Sequence, residues 1–256
     1  MNPLRRSSIW QFFISALSAI LIHQTAWGSV VITGTRVVYP ANARDVVIRL
    51  SNEGSSPALV QIWLDNGDPN ESPDKVKVPF IVTPPVARID QNRNQTVRLI
   101  YTGEPQSSDR EALYWLNMLE IPPKPSGDDS NYLQFAVRTR IKVFYRPVQL
   151  KGGPAEAVPK VEWTVKREGQ QLFLEGKNPT SYYVTFSQLR LVTMEDKDAG
   201  KPMNVMLAPG TTERVHFEDV APTEALFKAV RYQFIDDYGA FIDGDKALTT
   251  AEKLAH

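Results

Sequence analysis

Short runs rich in Val, Ile, Leu, Phe and Tyr recur along this chain about every 8 to 12 residues, with turn-forming residues between them. In the first half of the chain the runs lie at about 30–38, 44–51, 58–65, 78–83, 86–89, 95–101, 112–120 and 132–145. The segments Asn52-Glu53-Gly54 and Thr102-Gly103-Glu104-Pro105 are typical of the turns between them. About eight short strands at this spacing predict an antiparallel β-sandwich.

The pattern stops at residues 147–154, which are rich in Pro and Gly, and then starts again. The later runs lie at about 160–167, 171–177, 182–192, 203–208, 212–217, 226–235 and 239–242. We therefore expect an all-β protein with two sandwich domains, at 29–147 and 155–256. Residues 148–154 would be the hinge between them.

The first 28 residues have the features of a secretory signal peptide. Arg5 and Arg6 provide a positive start, residues 9–22 are mostly apolar, and Ala26 and Gly28 are the small residues that precede a cleavage site. We expect cleavage before Ser29 and export of the rest of the chain. No later apolar run approaches the length of a membrane span, so stable membrane insertion is not expected.

Charge and cysteine content exclude several functions. Residues 1–28 hold two of the 29 basic residues and none of the 29 acidic ones, which leaves 27 against 29 and a net charge of −2. This balance argues against nucleic acid as a partner. The chain has no cysteine, so disulfides cannot stabilise the domains, and thiol catalysis and thiolate metal sites are excluded.

Residues suited to catalysis are scarce. After residue 28 the chain has two histidines, His216 and the terminal His256, and it has no HExxH, GxSxG or phosphate-binding glycine motif. An acidic cluster at Asp236, Asp237, Asp243 and Asp245 lacks the ligand spacing of a calcium-binding loop. We expect neither an enzyme nor a metal site.

One strand pattern, at residues 131–147 (NYLQFAVRTRIKVFYRP), stands out. Leu133, Phe135 and Val137 form an apolar row, and the opposite phase is basic, with Arg138, Arg140, Lys142 and Arg146. Such a strand is either a sandwich strand with one face in water or an edge that pairs with another chain. We expect Arg138, Arg140 and Arg146 to be solvated, with charges that guard the edge against unspecific pairing.

Residues 109–122 (DREALYWLNMLEIP) resemble the signature of the periplasmic pilus-assembly chaperones, the PapD-like proteins of the chaperone–usher pathway. The order and spacing of further matches make the resemblance specific, and it covers essentially all of the chain after residue 28. These matches are residues 34–40 (GTRVVYP), 83–88 (TPPVAR), 95–101 (QTVRLIY), 140–147 (RIKVFYRP), 178–183 (NPTSYY) and 235–240 (IDDYGA).

The resemblance implies two immunoglobulin-like sandwiches around a cleft, in a periplasmic chaperone that needs no cofactor. The last strand of the first domain would be lent to a pilin subunit, whose groove Leu133, Phe135 and Val137 would fill. Arg36 and Lys142 match the cations that anchor the pilin's C-terminal carboxylate. The pilin would then pass to an outer-membrane usher. The sequence leaves open whether the free protein caps its own edge as a homodimer.

Strand parity raises a difficulty, because Lys142 is out of phase with Leu133, Phe135 and Val137. We expect a strand twist or a bulge to bring Lys142 into the cleft. Two departures from the family pattern, Ala112 and the pair Gln106-Ser107, leave the site residues intact. The short connection between residues 121 and 131 and the lack of cysteine resemble the short-loop subfamily.

Two other functions stay open at this point. A secreted two-domain adhesin or carbohydrate-binding sandwich would have an aromatic platform for sugar and would tolerate the loss of Arg36. An exported hydrolase would need His216 beside a nucleophile.

Overall fold

Two β-sandwiches contain most of the described residues, which are 29–104, 106–121, 135–169, 171–217, 220 and 227–249 of a computed structural model. The fold is all-β, with two immunoglobulin-like sandwiches on either side of a cleft, as the sequence predicts. The expected signal peptide (1–28) and Leu133 lie outside the described residues.

Two sheets form the N-terminal sandwich. Its strands are β1 (Val30–Ile32), β2 (Arg36–Pro40), β3 (Val46–Asn52), β4 (Ala58–Asp65), β5 (Phe80–Thr83), β6 (Val86–Ile89), β7 (Asn94–Tyr101), β8 (Ala112–Ile121) and β9 (Val137–Arg146). One sheet has the order β1-β3-β7-β5 and the other β2-β9-β8-β4-β6. All the strand pairs are antiparallel except β2 with β9, which are parallel.

A short helix and a 3-10 helix lead into the C-terminal sandwich. Its elements are α1 (Pro154–Ala157), the 3-10 helix (Val158–Lys160), β10 (Glu162–Glu168), β11 (Gln171–Lys177), β12 (Val184–Thr193), β13 (Asp198–Leu207), β14 (Thr212–Phe217), β15 (Phe227–Ile235) and β16 (Phe241–Ala247). The two sheets have the orders β10-β11-β14 and β13-β12-β15-β16. Among the described residues, no helix is long and apolar enough to cross a membrane.

Each sandwich has its own hydrophobic core, since alternate residues of its strands point between the two sheets. In β4, for example, Ala58, Val60, Ile62 and Leu64 are all buried. Burial of one such large side chain contributes about 1.5–3 kcal/mol, and these cores replace the disulfides that a chain without cysteine lacks.

The single strand predicted at 30–38 is in fact two strands in different sheets. β1 pairs with β3, whereas β2 pairs with β9. The chain changes sheets at Thr33, Gly34 and Thr35, where Gly34 has a φ of +95°, a conformation that a side chain with a Cβ atom disfavours. The switch places Arg36 at the first position of β2, beside β9.

Other strand predictions are correct in type and differ in length. The run predicted at 112–120 is β8, and Leu116, Asn117 and Met118 are buried in succession, so β8 is covered on both faces. β13 and β16 are longer than predicted, and α1 was missed. A helix of 4 residues is too short to produce a periodic pattern, and only Pro at its start marks it.

Candidate functional site

Three side chains of the N-terminal sandwich lie side by side on the face of the five-stranded sheet that is turned toward the C-terminal sandwich. In the parallel pairing of β2 with β9, Arg36 is opposite Lys142. In the antiparallel pairing of β8 with β9, Trp115 is opposite Lys142. Facing residues of paired strands project to the same side of the sheet, so Arg36, Lys142 and Trp115 form one row across three strands.

The phase of β9 explains why this row faces the cleft. Ile141, Val143 and Tyr145 belong to the N-terminal core, which leaves the side chains of the alternate residues on the opposite face. Phe144, on that opposite face, is only 3% exposed, and its ring centroid lies 5.7 Å from that of Tyr183 in the C-terminal sandwich.

This arrangement removes the difficulty of strand parity. The register of β9 with both neighbours is unbroken over residues 137–146, so this segment has no bulge, and of the two expected causes, a twist or a bulge, the bulge is wrong. Lys142 reaches the cleft because the cleft lies on the face of the sheet opposite the core.

Arg36 is half-buried at the boundary between the sandwiches. Its Nη1 donates a hydrogen bond of 2.9 Å to the carbonyl oxygen of Ile235, and its guanidinium carbon lies 5.9 Å from the centroid of the Phe144 ring. Its Nε is buried and has no hydrogen-bond partner among the described residues. Burial lowers the pKa of the guanidinium, an effect that the nearby Asp237 and Asp236 oppose.

Lys142 is also half-buried. Its Nζ lies 3.4 Å from Thr185 Oγ1 in the C-terminal sandwich and 5.7 Å from the centroid of the Trp115 ring. Burial, with a further contribution from the positive charge of Arg36, lowers the pKa of the ammonium group to about 8. The two cations therefore destabilise each other in the free protein.

Neither cation has an ion pair with a carboxylate in the described part of the chain. Two adjacent, partly dehydrated cations attract an anion, which would relieve their repulsion and provide acceptors for their free N–H groups. A carboxylate is suited to this position, because its two oxygens can accept from both cations at once. The charge and burial of this row therefore suit it to binding an anion.

A free strand edge leads up to the two cations. β2 covers β9 only from Lys142 to Arg146, so residues 137–141 are paired with β8 alone among the described residues. At the start of this edge Phe135 is 72% exposed and Val137 is 43% exposed. These are the two described residues of the predicted apolar row, and they lie in the phase that points to the core further along the strand.

The expectation that Arg138 and Arg140 are solvated guards is wrong. Arg140 Nε donates a hydrogen bond of 3.0 Å to a carboxylate oxygen of Asp65, which is fully buried. Arg138 donates to Asn117 Oδ1 at 2.7 Å, and the two guanidinium groups lie 5.0 Å and 4.1 Å from the ring centroids of Trp63 and Trp115. These arginines are part of a network that stabilises the sheet.

Arg146 is not a solvated guard either, because it connects the two sandwiches. Its Nε donates to Glu111 Oε1 at 2.7 Å, and its Nη1 and Nη2 donate to the Asp237 carboxylate at 2.7 and 2.8 Å. The other Glu111 oxygen accepts from the backbone N–H of Tyr183 at 2.8 Å. Burial raises the pKa of the Glu111 carboxyl, and Arg146 opposes that shift.

Local sequence patterns predict no role for Glu111, Asp237 or Trp115, although all three lie in the segments on which the resemblance rests. Glu111 and Asp237 form ion pairs with Arg146, from which they are 35 and 91 residues away along the chain. No local pattern in the sequence reveals pairing over such distances. Glu111, Arg146 and Asp237 thus form an ion-paired contact between the two sandwiches.

We predict that Arg146→Ala destabilises the protein strongly. The change leaves the Glu111 carboxylate buried without its cation, so the free energy of unfolding should fall by about 3 kcal/mol in urea denaturation. Lys197→Ala is the control, because Lys197 and its partner Glu195 have side chains that are 74% and 73% exposed, and a change within about 0.5 kcal/mol is expected. Equal effects of the two substitutions would contradict this role of Arg146.

The other chemical candidates have ordinary surroundings. His216 packs beside Phe173, with ring centroids 5.0 Å apart. In the acidic cluster, Asp236 accepts hydrogen bonds from the backbone N–H groups of Tyr238 and Ala240, and Asp237 binds Arg146. Within the described residues, no group of three His, Asp or Glu side chains is arranged to hold a metal ion.

Comparison with known proteins identifies the family. The model of the pili and flagellar-assembly chaperone PapD N-terminal domain matches residues 29–151, and that of the pili assembly chaperone PapD C-terminal domain matches residues 156–246. The probable fimbrial chaperone YadV of Escherichia coli K12 is 42% identical over 224 residues, which cover 86% of this chain and 89% of that protein.

Two further similarities agree with this result. The chaperone protein FimB/FhaD of Bordetella pertussis is 39% identical over 234 residues, covering 88% of this chain and 92% of that protein. The crystal structure of the YadV chaperone has a TM-score of 0.70 at 39% identity and covers 86% of this chain and all of that chain. This chain therefore belongs to the PapD family of pilus-assembly chaperones.

Proposed function

We propose that this protein is a periplasmic chaperone that binds, folds and caps pilin subunits by donating a strand, and delivers them to an outer-membrane usher. The observation that carries the proposal is the free edge of β9 at residues 137–141, which ends beside the cation pair Arg36 and Lys142. A strand edge binds a chain through backbone hydrogen bonds, and a cation pair at its end can recognise a terminal carboxylate.

The geometry also suggests the direction of the bound strand. β2 runs parallel to β9 and begins at Arg36, so a second strand in the free position would lie in line with β2. If its terminal carboxylate meets Arg36 and Lys142, the added strand runs parallel to β9 and ends where β2 begins. The carboxylate would then determine the register, because a shift of one residue moves it away from the cations.

We propose that Leu133, Phe135 and Val137 fill the open groove of the pilin. Phe135 and Val137 are exposed in the free protein, so their burial in a partner would remove apolar surface from water. Each buried side chain could contribute about 1.5–3 kcal/mol before the cost of ordering the strand is subtracted. The groove of the pilin would provide the contacts that the core provides further along β9.

The remaining features of the proposal follow from the sequence. Residues 1–28 would be removed on export, and 29–147 and 155–256 would be the two domains around a hinge at 148–154. The short connection between residues 121 and 131 supports the short-loop subfamily. The proposed activity is binding and requires neither catalysis nor a cofactor. The same free edge could pair with a second copy of the chain in the free protein.

Co-production with candidate pilins tests the proposal. Candidate pilins would be produced in the periplasm with and without this chain. We expect a one-to-one complex in which the pilin is soluble and protected from proteolysis, and loss of the pilin when the chaperone is omitted. Equal recovery of pilin in both cases would overturn the proposal.

The lowered pKa of Lys142 predicts that pilin binding depends on pH. The ammonium form binds the carboxylate, and in the free protein that form is lost as the pH rises through about 8. Binding stabilises the ammonium group, so the affinity for a peptide of the pilin's C-terminal strand should fall about tenfold between pH 7 and pH 9.

Two controls distinguish this effect from a general effect of pH. Lys142→Arg keeps the positive charge over the whole range, so its affinity should be nearly constant. A peptide with an amidated C-terminus should bind weakly at both pH values. Equal affinity of the unmodified pair at pH 7 and pH 9 would show that Lys142 does not bind the carboxylate.

A further inference from the structure

The Glu120 carboxylate binds the first described residue of the chain. One oxygen accepts hydrogen bonds from the backbone nitrogen of Ser29 at 2.9 Å and from that of Val30 at 3.2 Å. The other accepts from the Ser29 hydroxyl. Within the described residues, Glu120 has no ion pair with Lys, Arg or His, so this half-buried carboxylate accepts three hydrogen bonds but has no cation.

Several other contacts position Ser29 beside this carboxylate. Its carbonyl oxygen accepts a hydrogen bond of 2.8 Å from the backbone N–H of Glu53. Gly54 lies so close that a Cβ atom built on it would be 2.5 Å from the Cβ of Ser29. Ser29 is therefore held on both sides, and its nitrogen points at Glu120.

The position of Glu120 connects this contact to the donated strand. Glu120 lies in β8, in the same phase as the buried Leu116 and Met118, and it is paired with Val137, the first residue of β9. Ser29 immediately precedes β1 in the opposite sheet. The contact thus joins the two sheets at the end of the sandwich from which the proposed donor strand emerges.

Cleavage of the Gly28–Ser29 bond would change the charge at this place. Before cleavage the Ser29 nitrogen is a neutral amide with one N–H. Hydrolysis adds the elements of water, so Gly28 leaves with a carboxylate and Ser29 keeps an amino group, which binds the released proton and is mostly an ammonium at pH 7. The ammonium has three donors and a positive charge, and Glu120 is within hydrogen-bond distance of the nitrogen that carries them.

We infer that Glu120 is the binding site for the α-ammonium group that removal of the signal peptide creates on Ser29. The inference relies on the proposed cleavage before Ser29. It implies that the N-terminal sandwich becomes more stable on processing. The ion pair closes the sandwich beside Val137, so the base of the donor strand is completed only after export.

A double-mutant cycle tests this ion pair in the mature full-length chain. The four proteins begin at Ser29 or carry one extra glycine before it, each with Glu120 or with Glu120→Gln. The glycine restores an amide at Ser29 and moves the ammonium about 3.8 Å along the chain. Glu120→Gln keeps an acceptor of similar size and removes the charge. A fifth protein with an acetylated Ser29 amino group removes the charge without adding a residue.

We expect the extra glycine and the acetyl group each to lower the folding equilibrium constant about tenfold in urea denaturation at pH 7. Both changes should also alter the hydrogen exchange of the Val137 amide when Glu120 is present. In the Glu120→Gln background they should have little effect on the folding equilibrium constant or on this exchange. Additive effects of the two changes, or no effect of the modified N-terminus, would overturn the inference. The mass of protein purified from the periplasm checks the cleavage site separately, and pilin binding is tested by a different assay.

Discussion

Replacing Arg36 or Lys142 by alanine should abolish the recovery of pilin from the periplasm and leave the chaperone folded. Each cation would donate charge-assisted hydrogen bonds to the terminal carboxylate, and such bonds contribute about 1.5–3 kcal/mol each. The lost bonds alone should weaken pilin binding by about tenfold to a hundredfold, and recovery should be abolished because the added strand also loses the contact that fixes its register. The fold should persist, because neither cation has an ion pair with a described carboxylate that its loss would leave uncompensated.

The assay is the co-production described above, with unfolding measured on each purified variant. Lys177→Ala and Arg214→Ala are matched controls, since both cations lie on strands of the C-terminal sandwich with side chains that are 59% and 44% exposed. Both controls should retain normal pilin recovery. A normal yield of pilin with Arg36→Ala and with Lys142→Ala would refute the role assigned to the site.

Replacing Phe135 by glutamate should block pilin binding as completely. In the proposed complex this side chain fills an apolar groove, and a carboxylate placed there loses its hydration without gaining a partner, at a cost of several kcal/mol. The free chaperone should be unaffected, because Phe135 is 72% exposed. The expected result is a protein of unchanged stability that recovers no pilin.

Ala136→Glu is the matched control for this substitution. Ala136 is also exposed, and it lies one position further along the chain, so its side chain is in the opposite phase. The same charge there should leave most of the binding intact. If both glutamates blocked binding equally, the effect would come from charge near the strand rather than from the groove.

The fold was accessible from the sequence because an antiparallel sandwich depends on local patterns. The apolar runs and the turns between them predicted where most strands lie, for example β4 at 58–65. The prediction of a single first strand was wrong, because Gly34 permits a change of sheet that alternation cannot show. The length of β16 was also underestimated, since the exposed edge strand has a weak apolar pattern.

The roles of the basic residues were harder to predict. Arg138, Arg140 and Arg146 look alike in the sequence as charges on the polar phase of one strand. Arg138 and Arg140 bind groups of their own sheet, whereas Arg146 binds Asp237, a residue 91 positions away. A buried carboxylate stabilises a guanidinium only at contact distance, and sequence alone does not reveal which carboxylate that is.

By itself, the sequence determined the all-β class, the two sandwiches, the family and the pair Arg36 and Lys142 as candidates, because strand period and family motifs are properties of neighbouring residues. The tertiary structure alone decided that these two cations are adjacent and that the cleft lies opposite the core. It also decided that the edge of β9 beside them is unpaired within the part of the chain that the structure describes. Each of these features depends on which strands pair, and pairing joins residues that are distant along the chain.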